Sequence, residues 1–165
     1  MNKLNFGCGT KIFKGYVNVD VVKHDGVDKA FDFNKFPYPF KDNTFEEVLI
    51  IGVLEELRDA RSVIKEIYRI SKNNTVIKLR VPFYNSRVAH YPGHYTFFTM
   101  DSFRSFDDEG KIHPASINNG LFKVIKKRIQ STPYNWFIPQ KIKNFLSCFI
   151  PNISEFIYFE LKVIK

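Results

Sequence analysis

Two short apolar runs at the N-terminus constrain the fold more than any other feature of the chain. The first run leads into Gly7-Cys8-Gly9, and the second, residues 16–20, ends in Asp20. In an open α/β sheet, glycines after the first strand let the backbone approach a bound ligand closely. A carboxylate after the second strand can accept hydrogen bonds from both hydroxyls of a ribose. The two runs therefore predict a parallel sheet whose carboxyl edge binds an adenosyl cofactor.

The rest of the chain continues this α/β pattern. The link from Thr10 to Gly15 is too short for the helix that a dinucleotide-binding fold places there. Asp59 can cap a helix whose apolar residues, spaced at i, i+3, i+4 and i+7, give it one buried face. Further strands are predicted at 29–33, 45–51, 75–81, 121–130 and 156–164, and helices at 59–72, 99–109 and 141–150. This order predicts a mostly parallel α/β sheet with an antiparallel strand pair at its C-terminal end.

Length and composition favour a single domain over residues 1–165. A chain of 165 residues with 44% hydrophobic content can bury one core. The two cysteines, Cys8 and Cys148, without a recognisable secretory signal, favour the reducing cytoplasm. Cys8 is expected to be a small filler of the glycine turn, because nothing near it in sequence lowers its pKa. No apolar run reaches the roughly 20 residues that a membrane-spanning helix needs.

Charge and one amphipathic segment bear on the partners. A net charge of +8 favours acidic partners such as nucleic acid, anionic lipid or a phosphorylated substrate, although many basic proteins bind none of these. The helix predicted at 141–150 carries Ile142, Phe145 and Phe149 on one side. That side can dock on a membrane surface or on a lipid-linked acceptor. Packing of this side against the sheet is the simpler alternative, and it is the one we expect.

Five segments, in their order along the chain, match a known family pattern. Leu4–Gly9 and Gly15–Asp20 resemble the first motif of the class I S-adenosylmethionine-dependent methyltransferases. Phe36–Val48 is similar to the Leu-Pro-Phe-Pro-Asp-Asn-Ser-Phe-Asp motif that precedes the fourth strand in one group of that family. Ile50–Leu57 resembles the segment after that strand, and His94–Phe103 resembles a later His-x-x-x-Phe-Thr-x-x-Ser-Phe segment. The group is the methyltransferase type 11-like one, in a small form with a shortened first crossover.

The resemblance implies a Rossmann-like fold, S-adenosylmethionine as the cofactor, and methyl transfer to an acceptor. The motifs do not identify this acceptor, which is a small molecule, a sugar or a lipid-linked compound. His94 would be a catalytic base toward the acceptor, because a histidine pKa suits proton transfer at neutral pH. Asp20 would bind the ribose and Asp32 the exocyclic amine of the adenine. The implied cofactor-binding residues are Gly7, Cys8, Gly9, Asp20, Asp32, Phe33, Ile51 and Gly52.

The chain departs from the family at two positions after the fourth strand. The family carries histidines near Gly52 and Glu56, and this chain has neither. One alternative is therefore a non-catalytic methyltransferase-like scaffold or partner subunit. A second, suggested by the positive charge, is an RNA methyltransferase. A nicotinamide dehydrogenase is disfavoured, because Ile12 stands where its fingerprint has a third glycine.

The histidines His90 and His94 lie four residues apart, a spacing that suits metal binding on a helix. Pro92-Gly93 lies between them and excludes a helix. We therefore expect no metal site.

Overall fold

The computed structural model describes residues 2–106, 121–131 and 137–165, and these residues form one seven-stranded sheet. The strands are β1 (Lys3–Phe6), β2 (Tyr16–Asp20), β3 (Lys29–Ala30), β4 (Phe45–Ile51), β5 (Ser71–Pro82), β6 (Phe122–Ser131) and β7 (Ser154–Val163). Their order is β3-β2-β1-β4-β5-β7-β6. Neighbours from β3 to β5 are parallel, whereas β7 runs antiparallel to both β5 and β6. This confirms the predicted mostly parallel sheet with an antiparallel C-terminal pair.

Helix α1 (Ala60–Ile70) covers one face of the sheet. The Asp59 side chain caps it by accepting a hydrogen bond from the Ser62 amide at 3.0 Å, as predicted. Its buried residues are Val63, Ile64, Ile67 and Ile70. The helix ends before Lys72, because Ser71 already pairs with β4 as the first residue of β5. Asn73 and Asn74, which follow the predicted helix, therefore lie inside a strand, where Asn74 takes a positive φ of 66°.

Two predicted elements are shorter than the sequence pattern indicated. The strand expected at 29–33 is limited to Lys29–Ala30, because the chain then turns inward and stacks the Phe33 ring on Phe6 at 3.9 Å between centroids. The helix expected at 99–109 is reduced to a 3₁₀ turn at Arg104–Phe106. Its last three predicted residues lie outside the described residues.

Two buried asparagines hold the short link between β1 and β2 in place of a helix. The Asn5 amide donates to the Lys11 carbonyl at 2.8 Å and to the Asn18 side-chain oxygen at 2.9 Å. The Asn18 amide in turn donates to the carbonyls of Phe13 and Tyr16, both at 3.1 Å. These side chains thus satisfy several of the link's polar backbone groups without helical hydrogen bonds.

The segment between β3 and β4 also lacks a helix and packs through aromatic rings. Phe31, Phe33 and Tyr38 surround the buried Phe6 ring. Arg69 of α1 fixes the far end of this segment. Its guanidinium donates to the carbonyls of residues 38 and 40 and to the carboxylates of residues 42 and 66.

Helix α2 (Gln140–Leu146) does not pack its apolar side against the sheet, so that expectation is wrong. Phe145 and Phe149 are 66% and 71% exposed, whereas Lys143 and Ser147 are buried. Hydrogen bonds explain this orientation, because the Ser147 hydroxyl and carbonyl are both used by neighbouring segments. Among the described residues, neither helix is long and apolar enough to span a membrane.

Candidate functional site

The glycine loop after β1 folds over the end of β2. The amides of Gly7 and Cys8 both donate to the Val19 carbonyl at 2.9 Å. The Gly9 amide donates to Asp20 Oδ2 at 2.7 Å. The structure therefore brings the predicted glycines and the predicted ribose carboxylate together at the carboxyl edge of the sheet.

Gly7 and Gly9 both have a positive φ, but for different reasons. A Cβ atom on Gly7 would lie 2.3 Å from Val53 Cγ2, so this glycine allows the loops after β1 and β4 to pack together. A Cβ atom on Gly9 would meet nothing within 4 Å. The space beside Gly9 is open, and it is here that a ligand can approach the backbone.

Asp20 combines a structural role with spare hydrogen-bonding capacity. Its Oδ1 accepts from the amides of Val21 at 2.8 Å and Val22 at 3.4 Å, and its Oδ2 accepts from Gly9. An ionised carboxylate offers about four acceptor sites, so capacity remains for a ribose hydroxyl. The next two side chains, Val21 and Val22, are 52% and 62% exposed and provide apolar surface beside this carboxylate. These valines are not among the residues predicted from the sequence, although two apolar residues directly after a strand-end carboxylate are visible there.

The residues predicted to contact the adenine are placed less favourably. Asp32 is partly exposed and accepts a hydrogen bond from the Asn34 amide at 2.9 Å. The Phe33 ring is only 2% exposed and belongs to the aromatic core around Phe6. A contact from Phe33 to a cofactor would therefore be made by its backbone and not by its ring.

Cys8 has the environment of a buried filler. It is 4% exposed, and burial, together with the negative charge of Asp20, raises the pKa of its thiol. A neutral thiol is a poor nucleophile.

Cys8, Asp20 and His24 each place one potential ligand atom within 4.8 Å of the others. The absence of a metal site stays a prediction.

The end of β4 carries a buried acidic group that the sequence analysis did not select. Gly52 has a φ of 71° and donates its amide to the Arg80 carbonyl at 2.9 Å. A Cβ atom on Gly52 would lie 3.8 Å from Glu55 Oε1. Glu55 is only 3% exposed, and neither its Oε2 nor Arg80 Nε has a hydrogen-bond partner among the described residues. Two unpaired polar atoms in a buried setting are unusual and mark this edge as a candidate ligand contact.

Burial raises the pKa of the Glu55 carboxyl, and the charges of His94 and Arg80 oppose that shift. The segment that carries His94 is held against Glu55, because the Tyr95 amide donates to the Glu55 carbonyl at 2.7 Å. The His94 ring itself has Nδ1 3.2 Å from the Ala89 carbonyl. The predicted base and the missed carboxyl are thus neighbours. The signal for Glu55 was an acid between the apolar residues of a Leu-Glu-Glu-Leu segment.

An apolar cavity of about 240 Å³ adjoins this part of the chain. Its lining includes Leu54, Ile64, Phe97, Phe98 and Phe103. Leu54 immediately precedes Glu55, so the cavity and the buried carboxyl share the 3₁₀ turn Leu54–Glu56. Such a cavity suits an aromatic ring or a short hydrocarbon segment.

Comparisons with known proteins agree with this fold. Residues 16–78 match the family model of a methyltransferase domain. No curated protein matches the sequence. An S-adenosylmethionine-dependent methyltransferase of Archaeoglobus fulgidus has a TM-score of 0.67 and 13% identity, covering 98% of this chain and 85% of its own.

Two further solved structures show the range of proteins with this fold. The 1,6-didemethyltoxoflavin-N1-methyltransferase of Burkholderia thailandensis was solved with 1,6-didemethyltoxoflavin and S-adenosylhomocysteine bound. It has a TM-score of 0.59 at 10% identity, over 99% of this chain and 71% of its own. A complex of the Haloferax volcanii Trm112 methyltransferase activator with a methyltransferase matches with a TM-score of 0.58 at 13% identity, over 98% and 81%.

The fold and the match over residues 16–78 confirm the predicted resemblance to the class I S-adenosylmethionine-dependent methyltransferases. Residues 16–78 thus match a methyltransferase domain, and the chain shares the fold of S-adenosylmethionine-dependent methyltransferases.

Proposed function

We propose that the chain transfers the methyl group of S-adenosylmethionine to an acceptor drawn from small molecules, sugars or lipid-linked compounds. The observation that carries the proposal is the junction of Gly9 and Asp20, where a carboxylate with spare acceptor sites lies beside open space. The cofactor's ribose and its amino-acid end both need such features. One domain over residues 1–165 would carry the whole site.

The chain's own residues would hold the cofactor by three kinds of contact. Asp20 would accept the ribose hydroxyls, and the exposed Val21 would pack against the adenine. Asp32 would accept the exocyclic amine of the adenine. The backbone of Gly9 and Gly52 would line the methionine part of the cofactor. Bound in this way, the cofactor supplies an activated methyl on a sulfonium sulfur, so the protein mainly contributes position and exclusion of water.

Glu55 and His94 would act on the acceptor side. The unpaired Glu55 Oε2 can accept a hydrogen bond from an acceptor hydroxyl or amine, which orients the attacking atom. His94 can take the acceptor proton when the nucleophile must lose it early. The neighbouring cavity, which Leu54 and Phe97 help to line, favours an acceptor with an apolar part.

The test is acceptor-dependent formation of S-adenosylhomocysteine, measured by mass spectrometry with members of the three acceptor classes. We expect turnover with one class, and its loss in Asp20→Ala. Asp25→Ala is the matched control, because Asp25 is an exposed carboxylate in the same loop and should leave turnover unchanged. Turnover that is equal in both variants, or absent with every acceptor despite cofactor binding, would contradict the proposal.

A partner subunit is the second candidate, and the crossover without a helix favours it. A protein that covers the link from Thr10 to Gly15 could complete the cofactor pocket, as an activator would. This alternative predicts no cofactor binding by the chain alone and binding once the partner is present. The RNA methyltransferase alternative predicts RNA binding that weakens steeply as the salt concentration rises.

A further inference from the structure

An exposed apolar surface surrounds helix α2, and none of the proposed site residues uses it. We call it the apolar patch, and it consists of Phe137, Ile142, Phe145, Phe149 and Ile150. Their exposed fractions are 66%, 50%, 66%, 71% and 47% in that order. A cluster of large apolar side chains exposed to solvent marks an interaction site.

Hydrogen bonds fix the orientation that exposes the patch. The Gln140 side chain donates to the Ile129 carbonyl of β6 at 3.0 Å. The Asn85 side chain donates to the Ser147 carbonyl at 3.0 Å, and the hydroxyls of Ser147 and Ser154 lie 2.7 Å apart. The polar side of α2 therefore faces the protein, and the apolar side faces outward.

The segment that carries the patch is basic in sequence. Between Glu109 and Glu155 the sequence has no acidic residue, but it contains seven of the 25 basic residues. They are Lys111, Lys123, Lys126, Lys127, Arg128, Lys141 and Lys143. The rest of the chain has 18 basic and 17 acidic residues, so nearly all of the net charge of +8 belongs to this segment. The Gln140 contact joins α2 to β6, whose residues 126–128 are exposed and basic. Lys126 and Lys127 there pair with the carboxylates of Glu160 and Asp101, both at 3.2 Å.

We propose that the apolar patch docks the protein on an anionic lipid surface. Peripheral membrane binding needs both an apolar face that enters the lipid interface and basic groups that attract acidic headgroups, and this segment supplies both. A second copy fits the patch poorly, because a symmetric contact would bring two segments of net positive charge together. Isoleucines at the patch favour hydrocarbon over the stacked bases of a nucleic acid. The inference does not depend on methyl transfer.

The test is sedimentation of the full chain with large vesicles of phosphatidylcholine, with and without phosphatidylglycerol. We expect binding to the vesicles that contain phosphatidylglycerol, weaker binding without it, and release at high salt. The double variant Phe145→Ser and Phe149→Ser should lower the partition coefficient at least ~10-fold, because each ring loses its favourable transfer from water. Phe36→Ser is the matched control, since Phe36 is a 41% exposed phenylalanine outside the patch.

Equal binding by the double variant and the parent chain would overturn the proposal, as would no binding to anionic vesicles. A parent chain that is dimeric in light scattering, with a monomeric double variant, would assign the patch to a second copy and also overturn it. Both rings are exposed, so the double variant should keep the parent's melting temperature. If it does not, Phe149→Ser alone is compared with Phe36→Ser in the same sedimentation assay.

Discussion

Replacing Gly7 by alanine is expected to destabilise the fold more than replacing Gly9, although both glycines have a positive φ. An alanine in the left-handed region costs about 1–2 kcal/mol. At Gly7 the added Cβ would also lie 2.3 Å from Val53 Cγ2, and overpacking of this kind costs roughly 1–3 kcal/mol. Alanine also lowers the conformational entropy of the unfolded chain, which offsets about 0.4–1 kcal/mol of this loss. The net loss for Gly7→Ala is therefore about 1–5 kcal/mol, with a central value of about 3 kcal/mol.

Gly9→Ala introduces only backbone strain, because its Cβ would meet nothing within 4 Å. Its expected loss of unfolding free energy is about 1 kcal/mol. Its larger effect should be on the cofactor, since the methyl group fills the open space beside Asp20. Urea unfolding followed by far-ultraviolet circular dichroism measures the first effect, and calorimetric titration with S-adenosylhomocysteine measures the second.

A double-mutant cycle isolates the contact between Gly7 and Val53. In Gly7→Ala with Val53→Ala, the clash is relieved, so the combined loss should be smaller than the sum of the single losses by about 1–3 kcal/mol. Equal destabilisation by Gly7→Ala and Gly9→Ala, or additive losses in the cycle, would refute the assignment of Gly7 to packing and Gly9 to the ligand.

Three further predictions follow from the core and the buried carboxyl. Burial raises the folded-state pKa of Glu55 above its ordinary 4.5, so the native state loses stability as the pH rises from about 4 through that pKa. In urea unfolding, Glu55→Gln should therefore have a higher free energy of unfolding than the parent chain at neutral pH and a smaller advantage at acid pH. An advantage that is the same at both pH values would argue against this. Arg69→Ala should lower the free energy of unfolding by about 2–3 kcal/mol in the same assay, because it removes charge-assisted hydrogen bonds to the carboxylates of residues 42 and 66. A loss below ~0.5 kcal/mol would show that these hydrogen bonds do not stabilise the fold. Phe6→Ala should cost about 3–5 kcal/mol by leaving a cavity among the aromatic rings, and an unchanged urea midpoint would contradict the central position of Phe6.

The sequence predicted the sheet and the cofactor edge because both depend on local patterns. Strand β4 was predicted with the observed bounds, since four consecutive apolar residues, Val48–Ile51, follow Phe45 and its two glutamates. The position of Asp20 beside Gly9 also follows from local order, because parallel strands place their carboxyl ends at one edge. Strand β3 was predicted too long, because Phe31 and Phe33 gain more from the aromatic core than from the sheet edge.

Other features depend on contacts that are distant in sequence. The amphipathic pattern at α2 predicted a buried apolar face, and the structure reverses it, because Asn85, Ile129 and Ser154 hold the polar side. The acid-free basic stretch between Glu109 and Glu155 is visible in the sequence, but the position of β6 beside α2 depends on the Gln140 contact. Glu55 was missed because its significance comes from burial beside Arg80 and His94, which sequence spacing does not reveal.

Calorimetric titration of the purified chain with S-adenosylmethionine and S-adenosylhomocysteine tests the central claim most directly. The account predicts binding of both by the chain alone, a loss of affinity of about 10- to 100-fold in Asp20→Ala from the missing carboxylate–hydroxyl bonds, and unchanged affinity in Asp25→Ala. Absence of binding by the folded chain, or equal affinity in the two variants, would contradict a cofactor site built on Gly9 and Asp20.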